Sequence, residues 1–180
     1  MTETDKGDAR PAPGPHPAAS LEDERIAHLV RLCARGFNRS LARRLAAHGV
    51  TFGQWVFLRI LWKEEGLTQR ELGEIANLTE PTVHTALTKL EKAGIVDRRT
   101  KPGNRRKQFA YLTKEGRGLR AKLEPLALEA NEVALRGVSA EDQQRLHAAL
   151  LTVLENLSAD EAEAEAAGLK VPPTRSFISD

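Results

Sequence analysis

The side chains best able to do chemistry in this chain are cations and hydroxyls, and they sit close together. Between Arg98 and Lys107 stand Arg98, Arg99, Lys101, Arg105, Arg106 and Lys107, with no acidic residue among them. That concentration of positive charge suits a polyanion. Just upstream, Val83, Leu87 and Leu90 recur at i, i+4 and i+7, an apolar stripe that turns Thr82, His84, Thr85, Thr88, Lys89 and Lys92 to the opposite helix face. Hydroxyls and an imidazole near the start of such a face match base edges in a major groove, while the lysines farther along match phosphates. Catalysis finds no comparable grouping. His16, His28, His48, His84 and His147 lie in tails or on helical patterns without a nucleophile and acid beside them, so no enzyme is expected. The single cysteine, Cys33, allows neither an intrachain disulfide nor zinc-finger spacing, and the reading includes no metal and no cofactor.

A second set of polar residues lies on the first helix. His28, Arg31, Arg35 and Arg39 follow one another at i+3 or i+4, and Arg43 continues the row. One reading is a solvated face paired with acids of the last helices; the other is a cradle for the negative groups of a small effector. Cys33 falls in the apolar stripe between Val30 and Phe37, which reads as a buried, inert thiol.

A chain of 180 residues with 41% apolar content has room for one core and tails. Its net charge of +2 hides a segregation of signs. From Ala121 to Lys170, Glu124, Glu129, Glu132, Glu141, Asp142, Glu155, Asp160, Glu161, Glu163 and Glu165 outnumber Lys122, Arg136, Arg145 and Lys170, and this segment would repel the polyanion that the basic run attracts. No window approaches eighteen consecutive apolar residues, and the N-terminus opens on Thr2, Glu3, Thr4 and Asp5. A cytoplasmic protein, neither exported nor membrane-bound, is therefore expected.

Helix starts are marked by capping boxes, in which a hydroxyl caps the N3 amide and the N3 side chain reaches back. Candidates are Ser20 with Asp23, Thr51 with Gln54, Thr68 with Glu71, and Ser139 with the shorter Asp142. They predict a long first helix to about Ala47, a second from Thr51 to about Glu64, and a short third from Thr68 to Ala76 with Leu72 and Ile75 inward. A fourth, from about Thr79 to Ala93, carries Pro81 in its first turn, where a missing N–H costs nothing. Ile95–Arg99 and Lys107–Leu112 then alternate as strands of a hairpin. After Thr113 a long helix, expected to kink at Pro125, precedes the Ser139 helix with Leu146, Leu150, Val153 and Leu157. The surplus apolar face of the terminal helices implies a partner subunit. The expected organisation is a disordered tail over 1–19, a dimerisation helix over 20–50, a DNA-binding domain over 51–113, dimerisation helices over 114–158, and an acidic, Pro-containing tail over 159–180.

Two short helices joined by a tight turn and followed by a basic hairpin are the parts of a winged helix-turn-helix. The fold class is thus mainly α with a small β-hairpin wing. Leu67-Thr68-Gln69-Arg70-Glu71-Leu72, then Pro81-Thr82-Val83, then Leu90-Glu91-Lys92-Ala93-Gly94-Ile95-Val96 with Arg98, and Leu112-Thr113-Lys114-Glu115-Gly116 together resemble the MarR family of transcriptional regulators. The resemblance covers about Glu22 to Leu157. It implies a homodimer on double-stranded operator DNA, with a recognition helix bearing Pro81, Thr82, His84, Thr85, Thr88 and Lys89 in the major groove. Arg98 belongs to the same interface, and Arg106, with Arg105 as second candidate, carries over as the wing arginine of the minor groove. The family's Asp-x-Arg wing motif corresponds to Asn104-Arg105-Arg106, and an Asn offers its neighbour only a neutral hydrogen bond. Repression released by a small-molecule effector is also implied, an aromatic carboxylate or an aromatic acyl-coenzyme A. Its walls here would be Phe37, Phe52 and Trp55, and its polar anchors His28, Arg31, Arg35, Asn38, Arg39 and Arg59. Two alternatives stay open: peroxide sensing through Cys33, and a winged-helix module that binds protein and not DNA.

Overall fold

The computed structural model describes residues 21–101 and 104–171. Its elements follow in the order α1 (Ile26–Ala46), α2 (Phe52–Leu61), β1 (Leu67–Thr68), α3 (Gln69–Ala76), α4 (Glu80–Lys92), β2 (Val96–Lys101), β3 (Asn104–Leu112), α5 (Lys114–Ala134) and α6 (Ala140–Ala166). The tails 1–20 and 172–180, the turn residues Pro102 and Gly103, and the side chains of Asn104, Arg105 and Arg106 lie outside the described residues.

The chain divides within α1 into two units, residues 1–36 and 37–180. In the first, Leu21–Glu24 form a turn and α1 opens only at Ile26, later than the box at Ser20 and Asp23 implied; Ser20 itself is outside the described residues. Cys33 is exposed, against the buried thiol expected. Ile26 and Val30 on the same stretch are 73% and 42% exposed, so the apolar stripe that was to cover the thiol is itself uncovered in a single chain.

The second unit holds the core. Leu41 and Leu45 of α1, Trp55, Phe57, Leu58 and Leu61 of α2, Leu72 of α3, and Val83, Leu87 and Leu90 of α4 are buried together with Val96, Leu112 and Leu123. The helix starts are written locally. Thr51 N–H donates to Gln54 Oε1 at 2.8 Å while Gln54 N–H donates to Thr51 Oγ1 at 3.2 Å. Thr68 and Glu71 repeat the exchange at 2.6 and 3.3 Å. At Ser139 only the forward half forms, Asp142 N–H to Ser139 Oγ at 3.1 Å, as the shorter carboxylate allows. Asn77 caps α3 in the left-handed region, φ 52°, a conformation Asn tolerates better than most residues. That turns the chain into α4.

The three strands form an antiparallel sheet in the order β1-β3-β2. Val96 pairs with Leu112 and Lys101 with Asn104, with an irregularity between Arg99 and Lys101. The strands are longer than alternation indicated, β2 running on to Lys101 and β3 beginning at Asn104. Two-residue β1, with Leu67 opposite Ala110, is too short to show any period.

Ile75 is 56% exposed, against the inward position expected, because eight-residue α3 buries only Leu72 and Gly73. α5 remains helical through Pro125; the carbonyl left without a helical donor there belongs to Ala121, and both residues are exposed. α6 continues to Ala166, past the boundary at 158, and buries none of its residues. No helix of the described residues is long and apolar enough to cross a membrane.

Candidate nucleic-acid interface

Val83, Leu87 and Leu90 are 0%, 1% and 0% exposed, and they seat α4 as its spacing required. The face turned away from them carries exposed His84, Thr85, Lys89 and Lys92, with Thr82 and Thr88 half-buried at its margins. Pro81 stands in the first turn. Thr79 Oγ1 and Thr82 Oγ1 share a hydrogen bond at 3.0 Å, and Thr85 Oγ1 donates to the Pro81 carbonyl at 2.9 Å. His84 Nδ1 lies 3.3 Å from Gln69 Oε1, while Gln69 Nε2 donates to the Glu80 carbonyl at 3.3 Å. Gln69 therefore holds the start of α3 to the start of α4. Sequence reasoning missed it, since its only local signal is a place directly after the Thr68 cap.

The basic run separates once it is folded. Arg98 Nε–H donates to Glu91 Oε2 at 3.0 Å, Nη2 reaches the same oxygen, and Nη2 also donates to Thr88 Oγ1 at 3.4 Å. This guanidinium holds the Glu91 carboxyl below the usual carboxylate range. On the outer face of the sheet, Arg99 lies 4.1 Å from the Tyr111 ring centroid and Lys101 4.1 Å from that of Phe109. Lys101 Nζ also donates to the Gly66 carbonyl at 3.1 Å. Lys107 is exposed; the side chains of Arg105 and Arg106 fall outside the described residues.

Two further sets of contacts join elements of this unit. Arg117 donates to both oxygens of Glu65 at 2.8 and 2.7 Å, and the Leu112 N–H donates to Glu65 Oε2 at 3.1 Å. Arg44, half-buried on α1, donates to Glu129 Oε1 of α5 at 3.0 Å and to the Ser40 hydroxyl at 2.8 Å.

The candidate effector residues of the second unit differ in burial and in the surface they line. Trp55 is 3% exposed and meets Trp62 edge-on, centroids 5.5 Å apart at 71°; it is core. Phe52 is half-buried and borders a crevice of about 600 Å³ shared with Gln54, Thr82, Thr85 and Lys89. Arg59 borders a different groove, of about 350 Å³, with Val56, Ile60, Lys63 and Ile75. Phe37 is half-buried and Asn38 and Arg39 are exposed in the second unit, whereas exposed Arg31 and Arg35 and half-buried His28 belong to the first.

Residues 50–107 match the model of the MarR family. The chain is 30% identical over 152 residues to the HTH-type transcriptional regulator TtmR of Methylorubrum extorquens, covering 83% of this chain and 73% of that one. The chain belongs to the MarR family. Like its relatives, this MarR protein is a DNA-binding transcriptional regulator, and not an enzyme. It is also 27% identical to the organic hydroperoxide resistance transcriptional regulator of Bacillus subtilis, over 75% of this chain and 90% of that one. Among solved structures, the MarR family protein Rv2887 of Mycobacterium tuberculosis in complex with salicylic acid is 28% identical with a TM-score of 0.61, covering 74% of this chain and 98% of that one. The same protein in complex with DNA aligns at 27% identity and TM-score 0.61, over 73% and 98%.

Proposed function

We propose that this MarR regulator is a homodimeric repressor that places α4 in the major groove and its wing against the adjoining backbone, and that an aromatic carboxylate releases it. The observation that carries the reading is the face of α4 with exposed His84, Thr85 and Lys89 and half-buried Thr82, seated by a fully buried stripe beside a basic hairpin. In this reading Thr82, His84 and Thr85 meet base edges, while Lys89 and the exposed wing cations such as Lys107 meet phosphates. Support for the effector comes from the crevice beside α4, whose volume lies within the range of small-ligand pockets. It offers Phe52 as an apolar wall, the Lys89 ammonium as counter-charge and the Gln54 amide as an orienting group. The structural relative solved with salicylic acid supplies the ligand class. Because Thr82, Thr85 and Lys89 border both the crevice and the DNA face, a ligand there competes with DNA for the same side chains. Release requires tighter binding to the free protein than to the DNA complex.

Calorimetry with salicylate, benzoate and an aromatic acyl-coenzyme A, with and without the duplex from the intergenic region beside the gene, tests this. Binding to the free protein that weakens about 5- to 150-fold in the presence of DNA is expected. Equal affinity in both states would exclude release by that ligand, and a gel shift on the same duplex with no steep loss of DNA affinity as salt rises would favour a protein-interaction module.

A second reading is favoured by the exposure of Cys33 and by the hydroperoxide-linked name of the Bacillus relative. A Cys33 thiolate attacking a hydroperoxide would take one oxygen to become a sulfenic acid and release the alcohol. Loss of peroxide-driven DNA release in Cys33→Ser would establish it; unchanged release would discard it.

A further inference from the structure

Arg98 stands in the run of cations that suits DNA, which by itself marks it as a phosphate ligand. Its surroundings assign its donors elsewhere. The side chain is 15% exposed, against 38% for Glu91. A guanidinium has five N–H donors, and here Nε and Nη2 are turned onto Glu91 and Thr88. Thr88 and Glu91 are one turn apart on the last half of α4, whereas Arg98 lies on β2 opposite Ala110 of β3. One side chain thus joins the recognition helix to the wing sheet. Withdrawing it toward DNA would leave Glu91 as an unpaired carboxylate on a surface that must accept phosphates, a double loss. On the opposite face, Arg99 lies over Tyr111 and Lys101 over Phe109, so the two strands that Arg98 joins to α4 share further cross-strand contacts.

We infer that Arg98 is a positioning residue that sets the angle between the recognition helix and the wing through Glu91 and Thr88, and that it is not a phosphate ligand. The hydrogen bonds from Arg98 hold the Glu91 carboxyl below its ordinary value, so this acceptor stays ionised at neutral pH, which agrees with the inference. The inference rests on the proposal that α4 and the wing bind the same DNA.

The two roles differ in a quantity that simple loss of structure does not move. A phosphate ligand contributes about 0.9 to the slope of log affinity against log salt for each contact; a positioning residue contributes nothing to it. Affinity for the intergenic duplex is measured over a salt series for the wild type, Arg98→Gln, Glu91→Gln and the double variant. At fixed salt each single variant is expected to bind roughly five- to tenfold more weakly, with an unchanged slope, and the double variant no more weakly than Arg98→Gln, because both substitutions break one link. A slope reduced by about 0.9 per wing in Arg98→Gln, or tighter binding by Glu91→Gln, would overturn the inference. If Arg98→Gln loses its helical circular dichroism, Glu91→Gln and Thr88→Val carry the test, since both keep every cation; unchanged or tighter binding by the two would equally overturn it. Lys89→Ala is the control for the reading beneath. An unchanged slope there faults the placement of α4 on DNA, whereas an unchanged affinity in Glu91→Gln with a normal Lys89 control faults the bracket alone.

Discussion

Gly116 shows how much a single missing side chain can decide. A Cβ at that position would stand 2.2 Å from the Ile95 carbonyl oxygen, which is backbone and cannot swing away. The same residue's carbonyl accepts the Trp62 indole N–H at 2.9 Å, so the start of α5 is held against both α2 and the entry to the wing. Gly116→Ala is expected to destabilise by about 1–3 kcal/mol, as overpacking does. An unchanged urea midpoint would show that the entry to β2 moves freely. Glu71 adds a pH-dependent term. The Thr68 backbone N–H, and then its hydroxyl, hold the Glu71 carboxyl below its ordinary value. A carboxyl depressed in the folded state stabilises above its unfolded pKa, and that contribution fades as pH falls through the folded value. Glu71→Gln should therefore lose that contribution at neutral pH and converge on the wild type as pH falls through the folded value, which flattens the acid side of the stability profile. Identical acid profiles for the two proteins would contradict this.

At the scale of the element, the proposed function has α4 separate reading from holding. Thr82→Ala, His84→Ala and Thr85→Ala are each expected to lose about 1–3 kcal/mol of discrimination at particular base pairs. Lys89→Ala should weaken binding to all sequences alike and reduce the salt slope by about 0.9. Selection of preferred sites from random duplexes measures the first effect, and an unchanged preference in all three threonine and histidine variants would remove α4 from the groove. His84 has a second tie, to Gln69 Oε1 at 3.3 Å. Gln69→Ala should therefore alter discrimination at the same base pair as His84→Ala, and a change at another position would separate the two.

For the whole molecule, the decisive feature is α6, a helix of 27 residues without a buried side chain. Leu146, Leu150, Leu151, Val153, Leu154 and Leu157 are between 38% and 60% exposed. Exposed apolar surface of that extent marks an interaction site, and a second copy of the chain is the occupant the proposed repressor needs. Light scattering at micromolar concentration should give twice the 19.8 kDa chain mass. Leu150→Glu with Leu154→Glu should shift it toward the monomer and weaken DNA binding with it. A wild-type monomer that still binds DNA tightly would refute the dimer.

What the sequence determined by itself is whatever is settled within a few residues of chain. The boxes at Thr51 and Thr68, the stripe of Val83, Leu87 and Leu90, and the alternation of the hairpin are local exchanges and periodicities. They suffice for a winged helix-turn-helix and for the polar face of α4. Only tertiary structure decided which of these residues meet. Trp62 finds Gly116 from 54 positions away and Arg117 finds Glu65 from 52, and no spacing rule reaches that far. The same holds for the aromatic residues assigned to a crevice: Trp55 went to the core and Phe52 to its edge, although both stand on one helix three positions apart. Ile75 was left outside because a two-turn helix can bury little more than one row of side chains. Arg98 is the sharpest case. Its type and its neighbours in the chain advertise DNA, but folding brings Glu91 within hydrogen-bond distance first, and a charge satisfied inside the protein has less left to offer outside it.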